Sequence, residues 1–289
     1  MIMSLLPRLL KNKMAWIAIG IILGLALIAI FAPDIAPHDP LEVELTRRLQ
    51  SGSATFPLGT DHLGRCILSR LIYGARISLS IALTVTALTT TIGLIVGMIA
   101  GYGGGRVDSF LMRVCDVFLS FPNLILALAI VGVMGASRVN IVMALGASHW
   151  AWYARIVRSK VLRLKEENFI KAAVVSGTSG FQLMMKHLLP YTIAEIAVLA
   201  SLDMGSTILH ISTLSFLGLG IQPPAPEWGT MLNDGREFFR REPGLMFYPG
   251  MMIFLVALSF NLLGDALRDA LDPRLVKTIK RTRSRGCQC

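Results

Sequence analysis

The chain has 289 residues, of which 54% are hydrophobic and only 16% are charged, and its mean hydropathy is +0.62. A soluble domain carries about 25% charged residues, so this composition excludes an ordinary soluble protein and indicates a membrane protein. The formal net charge of +10 is dispersed between apolar runs and forms no single basic face. That dispersion argues against nucleic-acid binding.

Six apolar stretches are candidates for membrane spans. About 20 apolar residues cross the hydrocarbon core, and the stretches are residues 14–32, 77–105, 117–137, 139–154, 191–221 and 245–264. The fourth is short unless it extends into its flanks. We therefore predict an all-α integral membrane protein with six transmembrane helices. The first stretch is too long for a typical signal-peptide core, so we expect it to be retained.

Positive charge predicts the orientation of these spans. Most of the 28 Lys and Arg residues lie in the segments that are cytoplasmic if the amino terminus is cytoplasmic, as the positive-inside rule requires. We expect both termini and the loop 158–190 inside, and residues 34–70 and 223–241 outside. The chain then divides into a cytoplasmic segment 1–13, a membrane domain 14–274 and a basic tail 275–289, which suits anionic lipid headgroups.

Small residues in the second stretch predict close helix packing. Gly93, Gly97 and Gly101 recur every four residues, which places three positions without side chains on one helix face. A neighbouring helix can approach closely along that face.

Charged residues follow at the predicted inner membrane surface. Asp108, Arg113 and Asp116 have helical spacings of three and five residues, which permit ion pairing among them. We interpret them as structural anchors at a span end.

The outer segments are predicted to be ordered. Pro33, Pro37 and Pro40 end the first helix, since proline lacks the donor that a continuing helix needs. Gly and Asp residues in 57–66 favour tight turns, and the amphipathic segment 231–239 is predicted to lie along the outer surface.

Three ionisable residues are candidates for a translocation path. Asp203 and His210 are seven residues apart and share one face of the fifth predicted span. Such groups in a membrane usually face a bundle interior or an aqueous path, but a buried structural pair remains an alternative. His149, near the end of the fourth span, is either an interfacial or core histidine or a substrate contact; Trp150, Trp152 and Tyr153 beside it are predicted to form an interfacial aromatic belt.

A polar island between apolar runs, residues 163–180, is predicted to be a cytoplasmic helix. Its apolar stripe consists of Leu164, Phe169, Ala172 and Ala173, and Gly177 is able to end the helix in a conformation closed to other residues. On amphipathicity alone, such a helix packs either on its own membrane domain or on a partner protein.

Enzymatic and metal motifs are absent from the sequence. It contains no His-Glu-x-x-His or Gly-x-Ser-x-Gly pattern, and without a Gly-Lys dipeptide it has no phosphate-binding P-loop. The four cysteines suggest no disulfide framework. Cys287 and Cys289 are too few for a closed thiolate site, so no metal ligand is certain and their role stays open.

The polar island closes with Leu189-Pro190, and the pattern Ala172-Ala173, Gly177, Leu189-Pro190 resembles the cytoplasmic loop of permease subunits of ATP-binding-cassette (ABC) importers. The stretches 57–66, 148–159 and 214–229 are similar to the dipeptide, oligopeptide and nickel permeases of binding-protein-dependent importers, most of all to those for nickel. Two positions depart from that pattern: Cys66 stands where Asp is usual, and Lys171 where Glu is most frequent.

This resemblance implies a type I ABC importer permease in a prokaryotic inner membrane, with a cytoplasmic coupling helix. Its cargo would be nickel or a related transition-metal ion or chelate, with dipeptide or oligopeptide import as the alternative. The expected partners are a second homologous permease, two ABC ATPase subunits that hold ATP and Mg²⁺, an extracytoplasmic substrate-binding protein and membrane lipid, but no nucleic acid. This chain would bind no cofactor and would be no enzyme. The residues implied to contact the ATPase are Lys171, Ala172, Ala173, Gly177, Leu189 and Pro190. A stand-alone channel or carrier would have no use for them.

Overall fold

A computed structural model of the protein describes residues 13–271. Within that range the fold is α-helical, and the β-structure consists of one isolated bridge between Thr60 and Cys66. Most of the predicted segment 1–13, all of the tail 275–289, and Cys287 and Cys289 lie outside the described residues. The helices are α1 (Lys13–Ile30), α2 (Ala32–Ile35), α3 (Ile67–Gly103), α4 (Gly105–Leu119), α5 (Asn123–Met134), α6 (Arg138–Lys165), α7 (Asn168–Val175), α8 (Gly180–Gln182), α9 (Leu189–Phe216), α10 (Trp228–Gly235) and α11 (Gly244–Leu271).

Four helical segments of the described chain are long and apolar enough to cross a membrane. They are Lys13–Ile30, Ile67–Gly103, Gly180–Phe216 and Gly244–Ala270, and a fifth is added if α4 and α5 count as one bent span. Six spans are therefore not confirmed. α6 has 28 residues, so it does extend into its flanks as its short apolar stretch requires, but the basic residues of its second half lower its hydropathy.

The predicted span 117–137 is not a continuous helix. α4 ends at Leu119, α5 begins at Asn123, and the two are bent by 81°. Pro122 explains the break, because it has no backbone donor and disfavours helical geometry in the residue before it. The 12 residues of α5 are about 18 Å long at 1.5 Å per residue, which is shorter than the hydrocarbon core.

The predicted glycine face is the contact surface between α3 and α6. A Cβ atom at Gly93 would lie 2.3 Å from the Cβ of Tyr153, one at Gly97 would lie 2.5 Å from the carbonyl oxygen of Ala154, and one at Gly101 would lie 2.8 Å from the Cβ of Val161. All three distances are too short for any real side chain. The prediction of close packing is confirmed.

The charges of α4 bind α6 and do not bind one another. Asp108 accepts hydrogen bonds from both Nε and Nη2 of Arg158, at 2.5 and 2.6 Å, and Asp116 pairs with Arg155. The expectation of pairing among Asp108, Arg113 and Asp116 was therefore wrong about the partners. The reason is that α4 packs beside α6, whose arginines reach its carboxylates across the helix pair.

The segment predicted to lie outside is held by a buried charge cluster. Arg65 is 1% exposed and lies between Asp61, 2.6 Å from its Nε, and Asp234, 3.2 Å from its Nη2. Arg70 faces the same two carboxylates at 3.5 and 3.6 Å. Because each guanidinium has acidic partners, the charges of this cluster balance, as burial of charge requires.

α10 docks against α3 through Trp228. The indole donates from Nε1 to the carbonyl oxygen of Leu71 at 3.1 Å and fills the space above Gly74, where a Cβ atom would lie 2.6 Å from the ring. Glu227 is fully buried and caps α10 by accepting from the Thr230 backbone at 2.9 Å. The helix predicted near 231–239 therefore begins earlier and packs inward.

The α3–α6 contact predicts a large effect from a single methyl group. Gly97→Ala should destabilise the protein by about 1–3 kcal/mol through overpacking, because the added Cβ meets backbone that cannot move aside. Gly24→Ala on α1, where no atom lies within 4 Å of the new Cβ, is the matched control. Thermal unfolding of both variants in detergent is the measurement, and equal midpoints would contradict the close approach.

Candidate functional site

The polar island forms two helices, so the prediction of one helix over 163–180 is wrong. α6 ends at Lys165, and Glu167, the residue before α7, has extended backbone angles, φ −70° and ψ 139°. The turn at Glu166 allows α7 to leave the axis of α6. The predicted stripe assumed a continuous helix and is therefore misaligned.

Gly177 ends α7 as predicted. Its φ of +79° lies in the left-handed region, its N–H donates to the carbonyl oxygen of Val174 at 3.0 Å, and the N–H of Thr178 donates to that of Ala173 at 3.1 Å. These two bonds form a Schellman cap, in which glycine is strongly favoured.

One fully buried side chain connects α7 to the rest of the protein. Ile170 is 2% exposed and packs in a cluster with Val161, Leu164, Leu183 and Leu188. The sequence analysis missed it, although its spacing of three residues from half-buried Ala173 is a helical signal. Phe169, which was placed on the apolar stripe, is instead 40% exposed and tilted against the ring of Tyr191.

Exposed small and apolar side chains lie on α7 and at the start of α8. Ala172 is exposed, Val174 and Val175 are 55% and 89% exposed, and Phe181 on α8 is 70% exposed. We call these four residues the α7 patch. Its side chains are small or apolar, and exposed Lys171 lies one helical turn before Val175.

Lys171 has a partner within the chain. Its Nζ lies 2.9 Å from a carboxylate oxygen of Glu166, and both side chains are exposed. The hydrogen bond and positive charge of Lys171 lower the pKa of the Glu166 carboxyl below its ordinary value. The contact crosses the turn between α6 and α7.

Leu189 and Pro190 begin α9 after a π-helical segment, Leu183–Leu188. The N–H of Leu189 donates to the carbonyl oxygen of Met184, five residues back. Pro190 has no N–H to offer Lys186, so the α-helical bond at that position is missing. α8, the π-helical segment and α9 nevertheless form one continuous helical span, Gly180–Phe216.

The structure brings two of the three path candidates into contact. Nε2 of His149 on α6 lies 3.0 Å from Oδ2 of Asp203 on α9, at an angle outside hydrogen-bond geometry. The hydroxyl of Tyr153 donates to the same oxygen at 3.0 Å. Tyr153 is fully buried, so its assignment to an interfacial aromatic belt is wrong: the contact with Gly93 turns it toward the interior.

Asn123 is a member of this site that the sequence analysis missed. Its Nδ2 lies 2.9 Å from Nδ1 of His149. Its polar amide within a predicted apolar span, directly after Pro122, was the sequence signal that could have found it.

His210 lies next to these residues and lines a small cavity. The cavity has a volume of about 10 Å³ and is lined by Val85, Asn123, Leu145, Ser148, His149, Thr207 and His210. That volume is close to the smallest that holds one water molecule. Among residues 13–271, no three His, Cys, Asp or Glu side chains converge as a metal site, so no metal ligand is assigned.

Comparison with known proteins defines the class. A family model described as "Binding-protein-dependent transport system inner membrane component" matches residues 93–277, and one described as "N-terminal TM domain of oligopeptide transport permease C" matches residues 5–51. The chain belongs to this family of transport-system membrane components. Membership confirms the resemblance seen in its motifs and supports a transport subunit over an enzyme.

Individual relatives extend over almost the whole chain. A nickel transport system permease protein, NikC of Escherichia coli K12, is 46% identical over 260 residues, which are 90% of this chain and 94% of the relative. A dipeptide transport system permease protein, DppC of Alkalihalophilus pseudofirmus, is 43% identical over 93% of this chain and 88% of its own. A metal-staphylopine import system permease protein, CntC of Staphylococcus aureus NCTC 8325, is 40% identical over 94% of each.

The bond between Tyr153 and Asp203 predicts an energetic coupling between α6 and α9. In a double-mutant cycle of Tyr153→Phe and Asp203→Asn, we expect a coupling free energy of about 1 kcal/mol, the order found for hydrogen bonds between membrane helices. Reversible unfolding by an anionic detergent measures it. Tyr191→Phe, on the exposed start of α9, is the control substitution, and strictly additive effects of Tyr153→Phe and Asp203→Asn would contradict the contact.

Proposed function

We propose that this permease imports nickel or a related transition-metal ion or chelate, driven by ATP hydrolysis on separate subunits. The observation that supports this choice of cargo is the polar site between α6 and α9. Two imidazoles, of His149 and His210, line one cavity, and the carboxylate of Asp203 lies 3.0 Å from the first. Imidazole suits nickel and carboxylate suits a divalent charge.

The alternative cargo is a dipeptide or oligopeptide. Permeases with both kinds of printed cargo are relatives at 40–46% identity, so overall similarity does not separate them. A path for peptides needs no imidazole, whereas the described site has two, so the site favours the metal cargo.

The proposed topology has six crossings, with α4 and α5 forming one bent crossing and α6 another. Both termini and the segment 158–190 would be cytoplasmic. Ion pairs support the insertion of α6, because Arg155, Arg158 and Lys160 are neutralised by Asp116, Asp108 and Glu195. Neutralised side chains cost less to place at a membrane surface than free charges.

α7 is the proposed ATPase-coupling helix, with Lys171, Ala172, Ala173 and Gly177 at its contact surface. The α7 patch supports this role, since a cytoplasmic surface of exposed Val174, Val175 and Phe181 is an apolar patch of the kind that marks protein contacts. The capped end at Gly177 keeps the patch in a fixed shape. Lys171 would present a positive charge to the ATPase, in exchange for its contact with Glu166.

Leu189 and Pro190 would transmit movement from the coupling helix. Ile170 of α7 belongs to the same apolar cluster as Leu183 and Leu188 of the π-helical segment, which continues directly into α9. Asp203 and His210 belong to that same continuous helix. A displacement of α7 would therefore reach the polar site through the single continuous helix Gly180–Phe216. The π-helical segment is the most deformable part of that helix.

Other subunits would complete the transporter. A second homologous permease would supply the other half of the path, two ABC ATPases would hold ATP and Mg²⁺, and an extracytoplasmic binding protein would deliver cargo to the outer segments. Exposed Ser206 on α9 supports a facing permease, because hydroxyl groups favour helix–helix contact over lipid.

Ala172→Arg tests the coupling surface. The guanidinium would project from an exposed position of α7 and should lower recovery of the ATPases in pull-down by at least about tenfold, equivalent to 1.4 kcal/mol, and abolish transport. Ser159→Arg, at an exposed position of α6, is the control. Unchanged ATPase recovery and transport, with normal thermal unfolding, would exclude α7 as the interface.

His210→Ala tests the cargo. We expect uptake of radioactive nickel to fall at least about tenfold at normal membrane levels of the protein, because a ligand of the path is lost. Leu209→Ala, one position away on the exposed face of α9, is the matched control. Nickel uptake equal to that of the control would exclude a metal role for His210, and wild-type uptake of a labelled dipeptide without nickel would contradict the cargo itself.

A further inference from the structure

Both ring nitrogens of His149 face groups of the protein. Nδ1 lies 2.9 Å from the amide nitrogen of Asn123, and Nε2 lies 3.0 Å from a carboxylate oxygen of Asp203. The ring stacks on Trp152, with centroids 5.4 Å apart, and meets Tyr153 edge-on at 5.7 Å. Its position is therefore defined from four sides.

These neighbours select one tautomer. A carboxylate only accepts hydrogen bonds, so an unprotonated Nε2 would set two acceptors against each other at 3.0 Å. The proton therefore belongs on Nε2. The amide nitrogen of Asn123 only donates, so in this arrangement Nδ1 is the acceptor and carries the lone pair.

We infer that Asn123 is a positioning residue that holds His149 in the Nε2-protonated tautomer against Asp203. This contact keeps the His149–Asp203 pair closed to cargo. In this arrangement His149 offers no free lone pair to a ligand, because Asn123 uses the one at Nδ1. The inference deepens the proposed function, since it rests on α9 lining the path.

The contact between Asn123 and His149 lies next to the break between α4 and α5. Asn123 is the first residue of α5, directly after the 81° bend, so its amide connects a broken helix to α6. Separation of α5 from α6 would release Nδ1 as a ligand atom. Cargo would then meet an imidazole that the resting arrangement withholds.

Nitrogen-15 NMR of histidine-labelled protein in lipid nanodiscs tests the tautomer directly, because protonated and unprotonated ring nitrogens give well-separated signals. The sequence has five histidines, and His149→Gln assigns the relevant pair of signals. We expect wild-type His149 to be protonated at Nε2. In Asn123→Leu, which keeps the size but removes the donor, the ratio of the two neutral tautomers should shift by about fivefold, as the loss of one hydrogen bond implies.

Asn140→Leu is the control, since its amide donates to the carbonyl oxygens of Met134 and Gly135 and no contact with His149 is seen in the described chain. If Asn123→Leu does not fold, Asn123→Ala removes the same donor with a smaller side chain. A wild-type His149 protonated at Nδ1, or signals unchanged by loss of the Asn123 amide, would overturn the inference.

Uptake separates this inference from the cargo proposal. For whichever of nickel or dipeptide the wild type carries, loss of the Asn123 amide should lower the apparent KM several-fold, because the closed pair opens more readily, and Asn123→Gln should restore it by keeping an amide. An unchanged KM would overturn the positioning role. Uptake of dipeptide alone would contradict the nickel proposal and leave the tautomer result standing.

Discussion

The close contact between α3 and α6 is the constraint on which the rest of the structure depends. Gly93, Gly97 and Gly101 let the backbone of α6 approach to distances that no side chain would permit. That approach fixes the rotation of α6 about its own axis. One consequence is that Tyr153 points inward and donates to Asp203; another is that His149, one turn earlier, reaches the same carboxylate.

Charge is distributed so that buried groups have partners. At the predicted outer side, Arg65 and Arg70 share Asp61 and Asp234. At the opposite end, the arginines of α6 bind the carboxylates of α4. A buried charge without a partner would be very costly, so the first cluster explains how two arginines are buried, whereas the α4–α6 pairs are partly exposed, with Arg155 and Asp116 at 50% and 59%.

The proposed coupling helix, α7, and the polar site are connected through one continuous helix. α7 contacts the π-helical segment through Ile170, and that segment continues into the helix that carries Asp203 and His210. The other side of the site consists of His149 on α6 and Asn123 at the bend between α4 and α5. Relative movement of α9 and α6 therefore changes the environment of every polar group in the site.

The sequence by itself determined the helical class, the membrane location, the glycine contact face, the capping of α7 at Gly177 and the family, because each depends on composition or on a local pattern. Only the tertiary structure decided which residues meet. Asn123 and Tyr153 were missed as partners of His149 and Asp203, the carboxylates of α4 were paired with the wrong arginine, and the third span was predicted as unbroken. Local spacing reports which side chains share a helix face, whereas partners on different helices depend on the rotation and crossing of whole helices, which packing alone decides.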